Sequence, residues 1–322
     1  MPTILLTNHY EDMPLKIISS ALPKGFKLEI LDNAEQKELE RKAACADYLL
    51  VSGRLKINSR VLENGNKIRM IQRTGVGLDS LDLDKIKEMN IPLYVNKGIN
   101  ANSVAEHTVL LMLAALRNLI NIDINTKNGI WKKQAQGVRT YELNGKTVGL
   151  IGMGAIGRRV AEILRSFNVN IVYYDVCRMM AETESDLCLR YCELDKLLQR
   201  SDIVSLHCPL TKGTKHIINH NTINKMKDGA ILINTARGGL VEEKALAEAL
   251  KMGRISCAGI DVYENEPALH SVLFGLDNVI ATPHIGGITY NSFSRMMKDS
   301  MKNIEAFENG RQEAIEKFRH KF

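Results

Sequence analysis

The sequence predicts an α/β protein of two doubly wound parallel-sheet domains, the second inserted into the first. Three observations carry this. At 322 residues the chain exceeds one ordinary domain and can bury two cores. Short apolar runs alternate with amphipathic stretches almost throughout, which is the rhythm of strands and crossover helices. The last helical pattern, Asn291 to Asn309, follows a completed second series of strands, so the chain is expected to return to its first domain. The expected boundaries are 1–99 plus 290–322 for the outer domain and 100–289 for the inserted one.

Strands of the first series are expected at Thr3–Leu6, Lys27–Leu31, Tyr48–Val51, Arg69–Ile71 and Pro92–Val95, with a helical pattern near Leu15 to Leu22. A long helix is expected from Ala101 to Leu119. Its stretch Thr108–Leu116 is apolar on nearly every side, so it must be buried all round, within the core or against a second subunit. Six further strands are expected near Val148–Ile151, Ile171–Tyr174, Ile203–Leu206, Ala230–Ile233, Cys257–Ile260 and Val279–Ala281, which together suggest one doubly wound sheet.

Composition narrows the class. Apolar residues make up 45% and charged residues 25%, ordinary for a globular chain and not for a disordered one. The formal charge of +6 is spread along the chain with no basic run, so nucleic acid is not expected as a partner. No apolar stretch is long enough to span a bilayer, and no signal peptide opens the sequence. Six scattered cysteines point to a reducing cytoplasm. Cys188 and Cys192 lie four apart, but no matching histidine spacing accompanies them, and no metal site is expected.

The sharpest motif is Gly152-Met153-Gly154-Ala155-Ile156-Gly157, which joins the apolar strand Val148–Ile151 to a helical pattern running from Arg158 to Phe167. Gly152 permits a tight turn, Gly154 lets the backbone approach a pyrophosphate, and Gly157 lets helix and strand pack closely. The exposed amides that open the helix, beginning at Ala155 and Ile156, then face the phosphates. The next strand ends in Asp175, 23 residues after Gly152, where a carboxylate accepts bonds from ribose hydroxyls and repels a 2′-phosphate. This is a Rossmann-type dinucleotide domain, with NAD expected over NADP. Arg178, close by, blurs that preference.

Three polar residues follow apolar strands of the same domain and so should emerge at the carboxyl edge of the sheet, where ligands bind. They are Arg237 after Ile231-Leu232-Ile233, Glu266 beyond the strand ending in Asp261, and His284 after Val279-Ile280-Ala281. Oxidising a secondary alcohol needs a base for the hydroxyl proton, and histidine titrates near working pH. A neighbouring carboxylate favours the imidazolium and fixes the ring. A guanidinium binds a carboxylate through two parallel bonds and polarises a carbonyl oxygen.

The segments that carry these residues are His207-Cys208-Pro209-Leu210-Thr211, the run from Met226 to Gly239, Asp261 to Pro267, and Thr282-Pro283-His284-Ile285-Gly286-Gly287. Together they closely resemble the D-isomer-specific 2-hydroxyacid dehydrogenases, strongly over about residues 45 to 310. The resemblance implies a flavodoxin-like substrate domain around the inserted NAD domain, and an NAD-dependent interconversion of a D-2-hydroxy acid with its 2-keto acid.

By the same resemblance Arg237, Glu266 and His284 match the catalytic arginine, glutamate and histidine. Val76 and Gly77 should offer backbone amides to the substrate carboxylate, and Asn100 and Ser103 match the segment entering the long helix near the nicotinamide. Asp261 would hold the carboxamide, while Cys208, Thr235, Ala236 and Gly286 would line the cofactor. Phosphoglycerate dehydrogenases carry an arginine at the position of Arg54, facing the distal end of the substrate. A substrate with a distal anion is therefore expected to outperform hydroxypyruvate or glyoxylate. The regulatory domain appended to long phosphoglycerate dehydrogenases is not expected beyond Phe322, and a homodimer formed through the NAD domain is. The same scaffold also serves NAD-sensing corepressors and formate or phosphite dehydrogenases, which remain the alternatives.

Overall fold

The computed structural model describes residues 1–53 and 55–322. The chain divides into two compact units, one of residues 1–100 and 290–322, the other of residues 101–289. Each is built on its own parallel sheet.

In the first unit β1 (Thr3–Leu6), β2 (Lys27–Ile30), β3 (Tyr48–Val51), β4 (Met70–Arg73) and β5 (Leu93–Val95) lie in the order β2-β1-β3-β4-β5. All pairs are parallel. The central strand β3 reads YLLV with no polar alternation because helices cover both its faces and all four residues are buried. The returning helix Tyr290–Glu308 packs on one face, burying Phe293, Met296, Met297, Met301 and Ile304 with Tyr48 and Tyr94. A buried amide network ties it to the sheet: Asn303 Nδ2 donates to Gln72 Oε1 at 3.1 Å, and Asn96 Nδ2 to Ser300 Oγ at 2.9 Å.

In the second unit β6 (Thr147–Ile151), β7 (Asn170–Tyr174), β8 (Leu189–Tyr191), β9 (Ile203–Leu206), β10 (Ala230–Asn234), β11 (Ile255–Ile260) and β12 (Val279–Ala281) lie in the order β12-β11-β10-β9-β6-β7-β8. Strand order reverses between β6 and β9, which places a ligand crevice at their carboxyl ends. The sheet has seven strands rather than six. β8 is an edge strand of three residues, of which only Leu189 is buried, so it carries no apolar run to announce it.

The long helix ends at Leu116, three residues before the position expected, and Asn118 turns left-handed (φ 45°) to open a second helix, Leu119–Lys127. The helix Ala101–Leu116 lies mostly within its own unit, against the helix Ala155–Leu164 and strands β10 to β12. Gly259 on β11 admits this closeness: a Cβ there would lie 3.0 Å from that of Leu111. One apolar residue of the run is exposed, Leu110 at 54%, and Leu113 and Ala115 are half-buried. Among the described residues no single helix is long and apolar enough to cross a membrane.

Candidate active site

The loop after β6 shows why glycine stands at three positions. Gly152 donates its amide to Tyr174 O at 2.8 Å with φ 100°, and a side chain there would come within 2.6 Å of Cys208 N. At Gly157 a Cβ would lie 2.2 Å from Gly152 O. Gly154 meets nothing within 4 Å and stands at the N-cap of the helix Ala155–Leu164, leaving open the space a pyrophosphate needs. This cradle fits a dinucleotide.

Asp175, just beyond β7, accepts Met153 N at 2.7 Å and Cys177 N at 3.0 Å, so the expected ribose ligand also braces the glycine turn. Arg178 is engaged elsewhere. Its Nε and Nη2 reach the two oxygens of Glu184 at 2.8 and 2.9 Å. That guanidinium, with the Tyr173 hydroxyl, holds the Glu184 carboxyl down at about 2. The cation that blurred the choice between NAD and NADP is thereby tied to a carboxylate of its own.

Beyond β9, His207 Nε2 lies 2.9 Å from Ser205 Oγ, and burial pushes the imidazole down to about 3, so it is neutral. Burial also pushes the Cys208 thiol up to about 11, so it is uncharged. After β10, Asn234 brackets the next turn by accepting Ala236 N at 3.1 Å and donating to Arg237 O at 2.9 Å. Thr235 turns its hydroxyl inward. Because Thr108 Oγ1 donates to Val104 O, Thr235 donates to Thr108 Oγ1, 2.8 Å away.

Arg237 is half-buried, with Nη1 on Ala236 O at 2.7 Å. The next residue, Gly238, sits so close to the β11 loop that a Cβ would lie 1.8 Å from the carbonyl carbon of Tyr263. Three residues beyond that contact, Glu266 accepts Tyr263 N at 3.1 Å through Oε1 and meets His284 Nδ1 at 2.7 Å through Oε2. The histidine side chain is 40% exposed and the glutamate 16%. Residues 18 apart in sequence are thus brought into direct contact, with the imidazole presented outward and its carboxylate partner behind it.

Asp261 is buried and spends both oxygens on the segment that carries His284. It accepts Ile285 N at 2.9 Å, Gly286 N at 2.8 Å and Thr282 Oγ1 at 2.6 Å. No sequence pattern indicated this, since the contacts join β11 to residues more than 20 positions away.

In the first unit, Arg73 fixes the Gly75–Gly77 turn, with Nε on Gly77 O at 2.9 Å and Nη1 on Gly53 O at 3.3 Å. Val76 is exposed between those glycines. Arg54 lies outside the described residues. Asn100 ends the first segment of this unit in a turn, and Ser103, buried in the first turn of the long helix of the second unit, faces Thr289 Oγ1 at 3.4 Å.

These features, a dinucleotide cradle and a histidine–carboxylate pair at the carboxyl ends of one parallel sheet, define a nicotinamide-dependent oxidoreductase. Comparison with known proteins gives the family. The model of the D-isomer specific 2-hydroxyacid dehydrogenase NAD binding domain matches residues 109–286. The chain is 41% identical to hydroxypyruvate reductase of Thermotoga maritima, over 92% of this chain and 96% of that one. It is 39% identical to D-3-phosphoglycerate dehydrogenase of Methanocaldococcus jannaschii over 90% of its own length, which spans 54% of that protein. A solved structure of D-lactate dehydrogenase from Aquifex aeolicus, complexed with NAD and lactic acid, superposes with a TM-score of 0.85 at 32% identity, covering 98% of both chains. The chain belongs to the D-isomer specific 2-hydroxyacid dehydrogenase family, and NAD is its cofactor.

Proposed function

We propose that Arg237, Glu266 and His284 are the catalytic residues, and that a small 2-keto acid of the hydroxypyruvate type is the substrate. The observation that carries the assignment is the 2.7 Å contact between His284 Nδ1 and Glu266 Oε2. With Nδ1 donating to the carboxylate, Nε2 is the nitrogen that exchanges a proton with substrate. In the oxidative direction the substrate hydroxyl gives its proton to Nε2, and Glu266 stabilises the imidazolium that forms. In reduction His284 returns that proton to the nascent alkoxide. The guanidinium of Arg237 binds the substrate carboxylate and polarises the reacting carbonyl.

Bound NAD would supply the hydride acceptor or donor for the substrate's α carbon. Gly152, Gly154, Ala155, Ile156, Gly157 and Asp175 would hold its adenosine and pyrophosphate, with Cys208, Thr235, Ala236, Asp261 and Gly286 lining the remainder. In this reading residues 100–289 form the NAD domain, and residues 1–99 with 290–322 form the substrate domain. Val76, Gly77, Asn100 and Ser103 would then meet the substrate.

The exposed apolar residues Leu110, Leu119, Ile120, Ile124 and Trp131 support a symmetric homodimer through the NAD domain, which light scattering at micromolar concentration tests. Six unpaired cysteines fit a cytoplasmic home, which fractionation tests.

A second reading rests on Arg54, which directly follows the β3 loop at Gly53. A distal anion bound there would favour a phosphorylated hydroxypyruvate by roughly tenfold to a hundredfold in kcat/KM, the worth of one charged hydrogen bond. Hydroxypyruvate, glyoxylate and the phosphorylated acid, each assayed by loss of NADH absorbance with the unaltered enzyme and with R54A, decide between the two. If no 2-keto acid turns over, the catalytic assignment fails. If the phosphorylated acid holds no advantage that R54A removes, the second reading fails.

A further inference from the structure

His284 has φ 59°, in the left-handed region that a side chain with a Cβ rarely adopts, so the surrounding structure must hold it there. Its restraints converge on two neighbours. Ile285 N and Gly286 N each donate to one oxygen of Asp261, while His284 N donates to Thr282 O at 3.1 Å. The Tyr263 hydroxyl donates to the same carbonyl, also at 3.1 Å.

Beneath this turn, behind Asp261, stand two residues that neither the catalytic nor the cofactor residues include, Thr282 and His107. Thr282 Oγ1 lies 2.6 Å from Asp261 Oδ1, and His107 Nε2 lies 3.0 Å from Thr282 Oγ1 and 3.6 Å from Asp261 Oδ1. Burial pushes the Asp261 carboxyl up, but the donors around it outweigh burial and hold it below the usual carboxylate range. It is therefore an anion that can only accept. The Thr282 hydroxyl must give its proton to Asp261, and the hydroxyl oxygen then accepts from His107, which carries its proton on Nε2. The packing leaves no slack: a Cβ on Gly286 would lie 2.9 Å from Asp261 Oδ2 and 3.1 Å from His107 Cδ2.

We propose that His107 and Thr282, acting through Asp261, are positioning residues that brace the backbone of His284 for proton transfer. The brace originates on the long helix. His107 stands four residues after Ser103, on the same helix face, and that face grips the segment at both ends, Thr282 through His107 and Thr289 through Ser103. The inference rests on His284 being the residue that exchanges the substrate proton.

The test compares T282V, T282S, H107L and H107Q with H284A. Loosening the brace lets the imidazole wander, and a misplacement of about 1 Å costs on the order of a hundredfold in rate. T282V and H107L should each lower kcat roughly tenfold to a hundredfold, with KM for hydroxypyruvate and NADH affinity by fluorescence titration changing less than about threefold. T282S and H107Q, which keep a hydroxyl and an N–H donor, should recover most of kcat. In an H284A background T282V should add no further loss, which a general weakening of the fold would not spare. Nitrogen NMR of the histidines should show His107 with its proton on Nε2. If H284A keeps most of its turnover, the proton-transfer assignment itself is wrong. If H284A is inactive but H107L keeps kcat within twofold, or His107 is protonated on Nδ1 alone, the brace is overturned even should T282V fail to fold.

Discussion

Gly238→Ala adds one methyl group at the most crowded point of the site. The new Cβ would lie 1.8 Å from the carbonyl carbon of Tyr263, 1.9 Å from its oxygen and 2.4 Å from Glu264 N. Ordinary contact begins at 3.4 Å, so the two loops must part by about 1.6 Å at that point. The obstacle is backbone, which cannot rotate aside. Arg237 immediately precedes the glycine and Glu266 lies three residues beyond Tyr263, so the separation moves guanidinium and carboxylate apart. A shift of that order costs on the order of a hundredfold in kcat/KM, and the overpacking lowers stability by about 1–3 kcal/mol. Gly239→Ala is the control. The three atoms nearest its Cβ would all belong to the Leu210 side chain, the nearest at 2.9 Å, and a leucine can change rotamer. Steady-state reduction of hydroxypyruvate and thermal melting of both variants give the comparison. A G238A enzyme within threefold of the parent in kcat/KM would refute the argument that this contact sets the spacing of Arg237 and Glu266.

D175A should weaken NAD at least tenfold, because it removes both the proposed ribose acceptor and the brace on Met153 N. It should not confer NADP use until E184A also frees Arg178, and kinetics with both cofactors checks this. Glu38 gives a pH dependence. Burial pushes its carboxyl up, but the amides of Asp32 and Asn33, at 2.7 and 2.9 Å, and Lys42 hold it at about 2. The folded value lies below the unfolded one of about 4.3. Its contribution is therefore complete above that pH and lost as pH falls through about 2. E38Q should cost about 1–3 kcal/mol at pH 7 and flatten the loss of stability across that window, measured by urea melts at stepped pH.

What the sequence made legible follows from the range over which each signal acts. The glycine turn was readable because Gly152, Gly154 and Gly157 each answer a local backbone requirement within six residues. The buried strands were readable because runs such as Ala230–Asn234 face helices on both sides and drop their polar alternation. β8 was not, since three residues at a sheet edge bury a single leucine. The break after Leu116 leaves little signal because Arg117 and Asn118 interrupt an apolar pattern that resumes at once in Leu119 and Ile120. His107 and Thr282 were invisible for another reason. They meet across 175 residues, and a single hydrogen bond between distant polar side chains leaves no periodicity in either segment.

The strand ends of the second unit show how one small polar residue can serve both fold and site. Asp175 after β7 and Asn234 closing β10 each turn a side-chain oxygen onto the amide two residues on, that of Cys177 and of Ala236. Asp261 after β11 does the same office for a neighbouring loop, capping Ile285 and Gly286 beyond β12. In each case the buried or half-buried acceptor satisfies amides that leave the sheet ladder, which would otherwise be unpaired where the backbone turns. The loops so fixed carry the glycine turn, Arg237 and His284. Rigid geometry at this edge therefore comes from short side chains at strand ends rather than from the strands themselves.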